Sequence, residues 1–208
     1  MDAGTFVFEL NGVRWVVDPG NQDYEPLNKI GFPLSDYSQQ SERWSLLTKS
    51  NRGHSTVLVN QARFKVTAPA PISELTSGDQ PSATIDLSAA LNGEVKSWQR
   101  RFVVEGPQAI RIEDEFEANE RTREIVWQLI TVADVLPEKD GVRLRQGGKE
   151  LRLSFRAPQG LPVTVVSLDP PPLKLDKPIE RLKRIEVTVP PAAWSGGKGR
   201  LEVRLSGQ

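Results

Sequence analysis

His54 is the only histidine in the chain, and it heads the run Ser55-Thr56-Val57-Leu58-Val59. Upstream, Asp18 closes an alternating stretch and opens Asp18-Pro19-Gly20, with Tyr24 shortly after it. A carboxylate and a neutral imidazole are suitable zinc donors, but a zinc site takes three or four ligands. With no cysteine and no second histidine, the chain lacks both a complete metal cage and a nucleophile–base pair. Each residue also has a plainer reading. Asp-Pro-Gly commonly begins a turn, and a histidine at the head of a strand commonly bonds nearby backbone. The pattern is part of a site, and the expectation is a portion of a larger protein that shares its chemistry with residues elsewhere.

The elements that would carry these residues are strands. Asn11-Gly12 is a type I′ hairpin turn between alternating segments at 5–10 and 13–18. The register it predicts puts Leu10 opposite Val13, Glu9 opposite Arg14, Phe8 opposite Trp15, Phe6 opposite Val17 and Thr5 opposite Asp18. Residues 19–43 are rich in Gly, Asn, Gln, Ser and Asp without sustained periodicity, a long loop of the kind that often carries function. A short strand is expected at 44–50, and a second hairpin at 54–59 and 62–67 around Asn60-Gln61. Strands follow at 82–88, 96–105, 109–117 and 124–133, and only 121–130 could be argued as a helix. A further hairpin joins Val142–Arg145 to Leu151–Phe155 through Gln146-Gly147-Gly148, and strands at 163–168, 185–189 and 200–205 finish the chain. About a dozen short strands with turns between them predict an all-β fold, a large antiparallel β-sandwich, as one domain over 1–208.

Composition excludes several classes. Lys plus Arg equals Asp plus Glu at 27 each, which argues against a nucleic-acid binder. No apolar run reaches membrane-spanning length, and Met1-Asp2-Ala3-Gly4-Thr5 is not a signal peptide. The chain passes directly into a strand, as if cut from within a larger protein. At 208 residues it can bury a sizeable core without disulfides, and it contains no cysteine to form one.

The strings Asp2-Ala3-Gly4-Thr5-Phe6, Asn11-Gly12-Val13-Arg14-Trp15, Asp18-Pro19-Gly20, Tyr24 and Gly53-His54-Ser55-Thr56 resemble the heparinase II/III-like family. The match is specific over residues 2 to 66 and rests on strand order beyond them. These are polysaccharide lyases in which an α/α toroid precedes a large supersandwich-like β domain. The resemblance implies that Asp18 and His54 are two of three zinc ligands in the intact enzyme. It also implies that the toroid domain and a His-x-His segment before Asp2 are missing, so that this chain is inactive by itself. Thr5 stands where the family usually has serine, and Ser55 where asparagine is common.

The reaction implied by the resemblance is β-elimination at a uronic acid. A base removes the proton alpha to the carboxylate, and positive or hydrogen-bonding groups stabilise the charge that develops. Neither base nor stabilising group maps onto this chain. Tyr24 matches a family position and is either a cleft residue or a loop anchor. Arg14 and Arg52, with Arg43 and Arg63 near them, could grip sugar carboxylates or sulfates through paired bonds. Arg181, Lys183 and Arg184 read as a solvated face. Trp15, Trp98 and Trp127 read as core. The implied partners are an acidic polysaccharide and the chain's own toroid, in a periplasmic or secreted protein. The competing expectation is a non-catalytic carbohydrate-binding or structural sandwich module.

Overall fold

The computed structural model describes residues 1–207, whose strands form three antiparallel sheets. A hairpin pairs β1 (Phe8–Leu10) with β2 (Val13–Val16). The largest sheet runs β4 (Ile72–Thr76), β5 (Ser82–Asp86), β6 (Ser97–Val104), β7 (Ala109–Glu117), β14 (Lys198–Gly207), β11 (Lys149–Ala157), β10 (Gly141–Gln146), β9 (Asp134–Glu138). The third sheet runs β12 (Val163–Ser167), β13 (Lys183–Val189), β8 (Ile125–Thr131), β3 (Val57–Val59). No helix among the described residues is long and apolar enough to cross a membrane.

Alternation explains the two layers. On β6 the core face carries Trp98, on β7 Ile112 and Phe116, on β11 Leu151, Leu153 and Phe155, and on β14 Leu201, Val203 and Leu205. These meet Ile125, Trp127 and Leu129 of β8 and Ile185, Val187 and Val189 of β13 in one continuous core. The outer positions of the large sheet carry charges paired across strands, such as Arg143 with Glu150 at 3.0 Å and Arg200 with Glu113 at 2.6 Å. Pro137 sits on edge strand β9, where a missing N–H costs no ladder bond.

Strand β8 breaks the alternation, because all seven of its residues are buried. Its second face is covered by the long loop between β2 and β3, here residues 17–56, whose Leu47 packs with Ile130, Leu168 and Leu182. The loop is therefore a third layer with its own small core of Leu27, Leu34 and Leu46. It contains a short helix, α1 (Tyr24–Lys29), that the sequence reading did not foresee. Asp23 caps it by accepting from Glu25 N–H, and Glu25 pairs with Lys29 one turn on.

Several expectations are corrected. The opening hairpin holds Leu10 opposite Val13 and Glu9 opposite Arg14, but a bulge then places Phe8 opposite Val16 rather than Trp15. Trp15 and Val16 are both buried in the main core, which strict alternation does not allow. The pairing ends there, so Phe6–Val17 and Thr5–Asp18 do not form. Residues 44–50 are 3-10 turns, Glu42–Ser45 and Leu47–Lys49. Ser41 and Ser50 start such turns by accepting from the N–H two residues on, and adjacent Leu46 and Leu47 serve different clusters. Asn60 and Gln61 do take positive φ, 53° and 56°, but 62–67 does not return as a strand. Instead β3 finds its partner in β8, Ile125–Thr131, which is the strand expected over 124–133. Strands β4 and β9, both at sheet edges, were not anticipated.

Candidate functional site

One strand brings the predicted pair together. Val17 N–H donates to Ile130 O of β8 at 3.0 Å, and Thr131 Oγ1 donates to Trp15 O at 2.7 Å, which fixes the chain entering Asp18. On the other side, Gln128 N–H donates to Thr56 O at 3.0 Å and Ile130 N–H donates to Ser55 Oγ at 2.9 Å, which fixes the chain leaving His54. The Gln128 amide, fully buried, donates from Nε2 to the carbonyls of both Asn51 and His54. Gln128 was missed by the sequence reading. Its signal was a polar residue in phase with Val126 and Ile130 on a strand whose other residues, Thr131 apart, are apolar.

The turn before His54 is tight. Residues Asn51–Gly53 form a 3-10 turn, so the strand proper starts at Val57 and His54 stands just ahead of it. A Cβ on Gly53 would lie 1.9 Å from Leu47 O, so the backbones approach as only glycine permits.

His54 Nδ1 and Asp18 Oδ2 lie 2.8 Å apart, with the imidazole buried and the carboxylate one-third exposed. Gly20 N–H donates to the other carboxylate oxygen, Oδ1, at 2.8 Å. Burial pushes the Asp18 carboxyl up, but the bonds from His54 and Gly20, with the attraction of the imidazole, outweigh it and hold the pKa below the ordinary aspartate value. The Asp-Pro-Gly turn and the contact with His54 thus engage the two oxygens of one carboxylate.

The donor set suits zinc in part. A tetrahedral zinc with bonds of about 2.0–2.2 Å keeps its donors roughly 3.3 Å apart. Asp18 and His54 would be the residues of this chain to hold such an ion, once the proton they share at 2.8 Å is given up. Among the described residues no third His, Cys, Asp or Glu is grouped with the pair.

The other predicted residues are dispersed. Tyr24 begins α1 and is partly exposed, with the Lys49 ammonium 5.1 Å from its ring centroid. Lys49, and after it Arg43, lower the phenol pKa. Arg43 is buried, donates to Leu34 O and lies 4.5 Å from the Tyr37 ring centroid. Arg14 is exposed and paired with Glu9 at 2.5 Å. Arg52 donates to Gln61 O at 3.1 Å, and Arg63 to Ser41 O at 3.4 Å. No hydrogen bond or ion pair among the described residues joins Tyr24, Arg14 or Arg52 to Asp18 or His54. All five tryptophans are buried, which leaves none to stack on a sugar. Arg181, half-exposed and paired with Asp134, is in keeping with a solvated face, whereas Arg184 is largely buried, pairs with Glu186 and donates to Arg52 O at 2.9 Å.

A hairpin and a turn hung on one strand of a two-sheet antiparallel sandwich define a class of β domain, and comparison gives the class its family. Residues 1–204 match the family model described as Heparinase II/III-like, C-terminal, and the chain belongs to that family. It is similar in structure to a heparinase III gene product, with TM-score 0.67, 12% identity and coverage of 99% of this chain and 30% of that one. It is likewise similar to the heparan sulfate lyase HepC from Pedobacter heparinus, with TM-score 0.69, 14% identity and coverage of 99% and 30%. At such identities the likeness establishes the fold. The chain spans less than a third of the length of these solved structures. Comparison with curated protein sequences finds no match.

Proposed function

We propose that the chain acts as the C-terminal β-sandwich of a periplasmic or secreted polysaccharide lyase that cleaves uronic-acid-containing glycans by β-elimination. The observation that carries this reading is the convergence of Asp18 and His54 at 2.8 Å within a chain of this family. In it, Asp18 and His54 would hold a zinc ion together with a ligand from outside this chain. The ion, when bound, supplies a fixed positive charge and a cross-link between chain segments. Gly20 N–H keeps the Asp18 carboxylate turned toward the imidazole, and Gln128 keeps His54 in place through its carbonyl. Tyr24, Arg14 and Arg52 meet an acidic glycan, the guanidinium groups suiting carboxylate or sulfate oxygens. The base that takes the proton alpha to the carboxylate, and the toroid that carries it, lie beyond these 208 residues.

The test is to measure this chain joined to its N-terminal portion. Stoichiometric zinc by elemental mass spectrometry, with rising ultraviolet absorbance from an unsaturated uronate product, is the expected result. An active, zinc-free intact protein removes the metal assignment. An inactive, properly folded one favours a carbohydrate-binding module instead.

A further inference from the structure

A charged pair sits inside the sandwich, away from Asp18 and His54. Arg100 of β6 and Asp114 of β7 stand directly opposite each other, and both are fully buried. Arg100 Nε donates to Asp114 Oδ1 and Nη2 to Oδ2, each at 2.8 Å, while the Trp98 indole N–H donates to Oδ1 at 2.7 Å. The remaining nitrogen, Nη1, donates to two carbonyls from distant segments: Gly4 O at 2.9 Å and Ser55 O at 3.4 Å. A second tie runs alongside, from Thr56 Oγ1 to Ala3 O at 2.7 Å. Gly4 is held on its other side as well, since a Cβ there would lie 2.8 Å from Leu87 Cδ1.

Buried ion pairs contribute little net stability, because desolvation offsets most of their attraction. A guanidinium does provide donors in a rigid fork, which a lysine cannot reproduce. We propose that Arg100 is a positioning residue. Anchored by Asp114, it clamps the segment Asp2–Thr5 to the start of the His54 strand, and so fixes how residues N-terminal to Asp2 approach Asp18 and His54. The functional consequence rests on the reading of that pair as a metal half-site, while the clamp itself does not.

Hydrogen–deuterium exchange on the 208-residue chain tests the clamp without any metal. Two variants are needed: Arg100→Lys, which keeps the charge but loses the fork, and Arg100→Met with Asp114→Leu, which removes both charges together. Exchange in residues 1–8 and 54–57 is expected to rise about tenfold or more, with the strands of the large sheet unchanged. The imidazole NMR signal, unique in this chain, should shift at constant pH. Unchanged exchange in those two segments, or an equal rise across the whole sheet, overturns the proposal. Zinc plays no part in this measurement, so its failure is separate from failure of the metal reading.

Discussion

Asp18 Oδ2 and His54 Nδ1 touch at 2.8 Å across 36 positions of chain. Both are suspended from β8, Asp18 through the Val17–Ile130 bond and His54 through Ser55, Thr56 and the Gln128 side chain. The intervening loop does not set their distance. A buried central strand does, and that is a rigid way to hold two side chains together.

In the intact protein, Asp18→Ala and His54→Ala should each abolish stoichiometric zinc. Even partners outside the coordination sphere cost about 10–100-fold in metal affinity, and a lost ligand costs at least that. Elemental mass spectrometry after chelator dialysis reads the outcome, and full zinc retention in either variant would defeat the assignment.

Gly53→Ala should destabilise the chain by about 1–3 kcal/mol, the usual cost of forcing atoms into a packed site. The new Cβ would sit 1.9 Å from Leu47 O, which is backbone and moves only with the loop. A drop in the urea midpoint is the expected signal, and an unshifted midpoint would show that the turn yields freely.

Replacing Gln128 by leucine keeps the volume but strips the donors from Asn51 O and His54 O. Each orphaned carbonyl costs about 1–3 kcal/mol when buried. Denaturant unfolding should register the loss, and wild-type stability in Gln128→Leu would mean that solvent replaces both bonds.

Acid should weaken the outer face of the large sheet. Burial raises the Glu105 pKa, but bonds from Arg204 and Arg111 outweigh it and hold the value below the ordinary glutamate range. A group depressed in the folded state contributes stability above its unfolded pKa, and loses it as pH falls through the folded pKa. The contribution is therefore complete at neutral pH and disappears below about pH 4.5. Glu105→Gln should lower stability at pH 7 and make little difference near pH 2, as read by thermal unfolding. An equal deficit at both values would contradict the linkage.

Much of the sandwich was legible because period-two alternation reports one buried face directly, as at Leu151, Leu153 and Phe155. Legibility failed where burial was not one-sided. The 44–50 segment has strand-like composition, but its leucines face two different clusters, so it turns. Strands β4 and β9 lie at edges, where weak apolar pattern gives no signal. Arg100 and Asp114 stand in phase with Trp98 and Phe116, a clue that the alternation included charges meant for the interior.

The pattern of strands and turns determined that the protein would be a β-sandwich, and the sequence singled out Asp18 and His54 as candidate metal donors too few to complete a site. Which face each strand turned inward followed from local periodicity, a property of neighbouring residues. The meeting of Asp18 with His54, the bulge at Phe8 and the three-layer burial of β8 were decided by tertiary structure alone. They depend on contacts between segments far apart in the chain, and no local pattern carries the energy of those contacts.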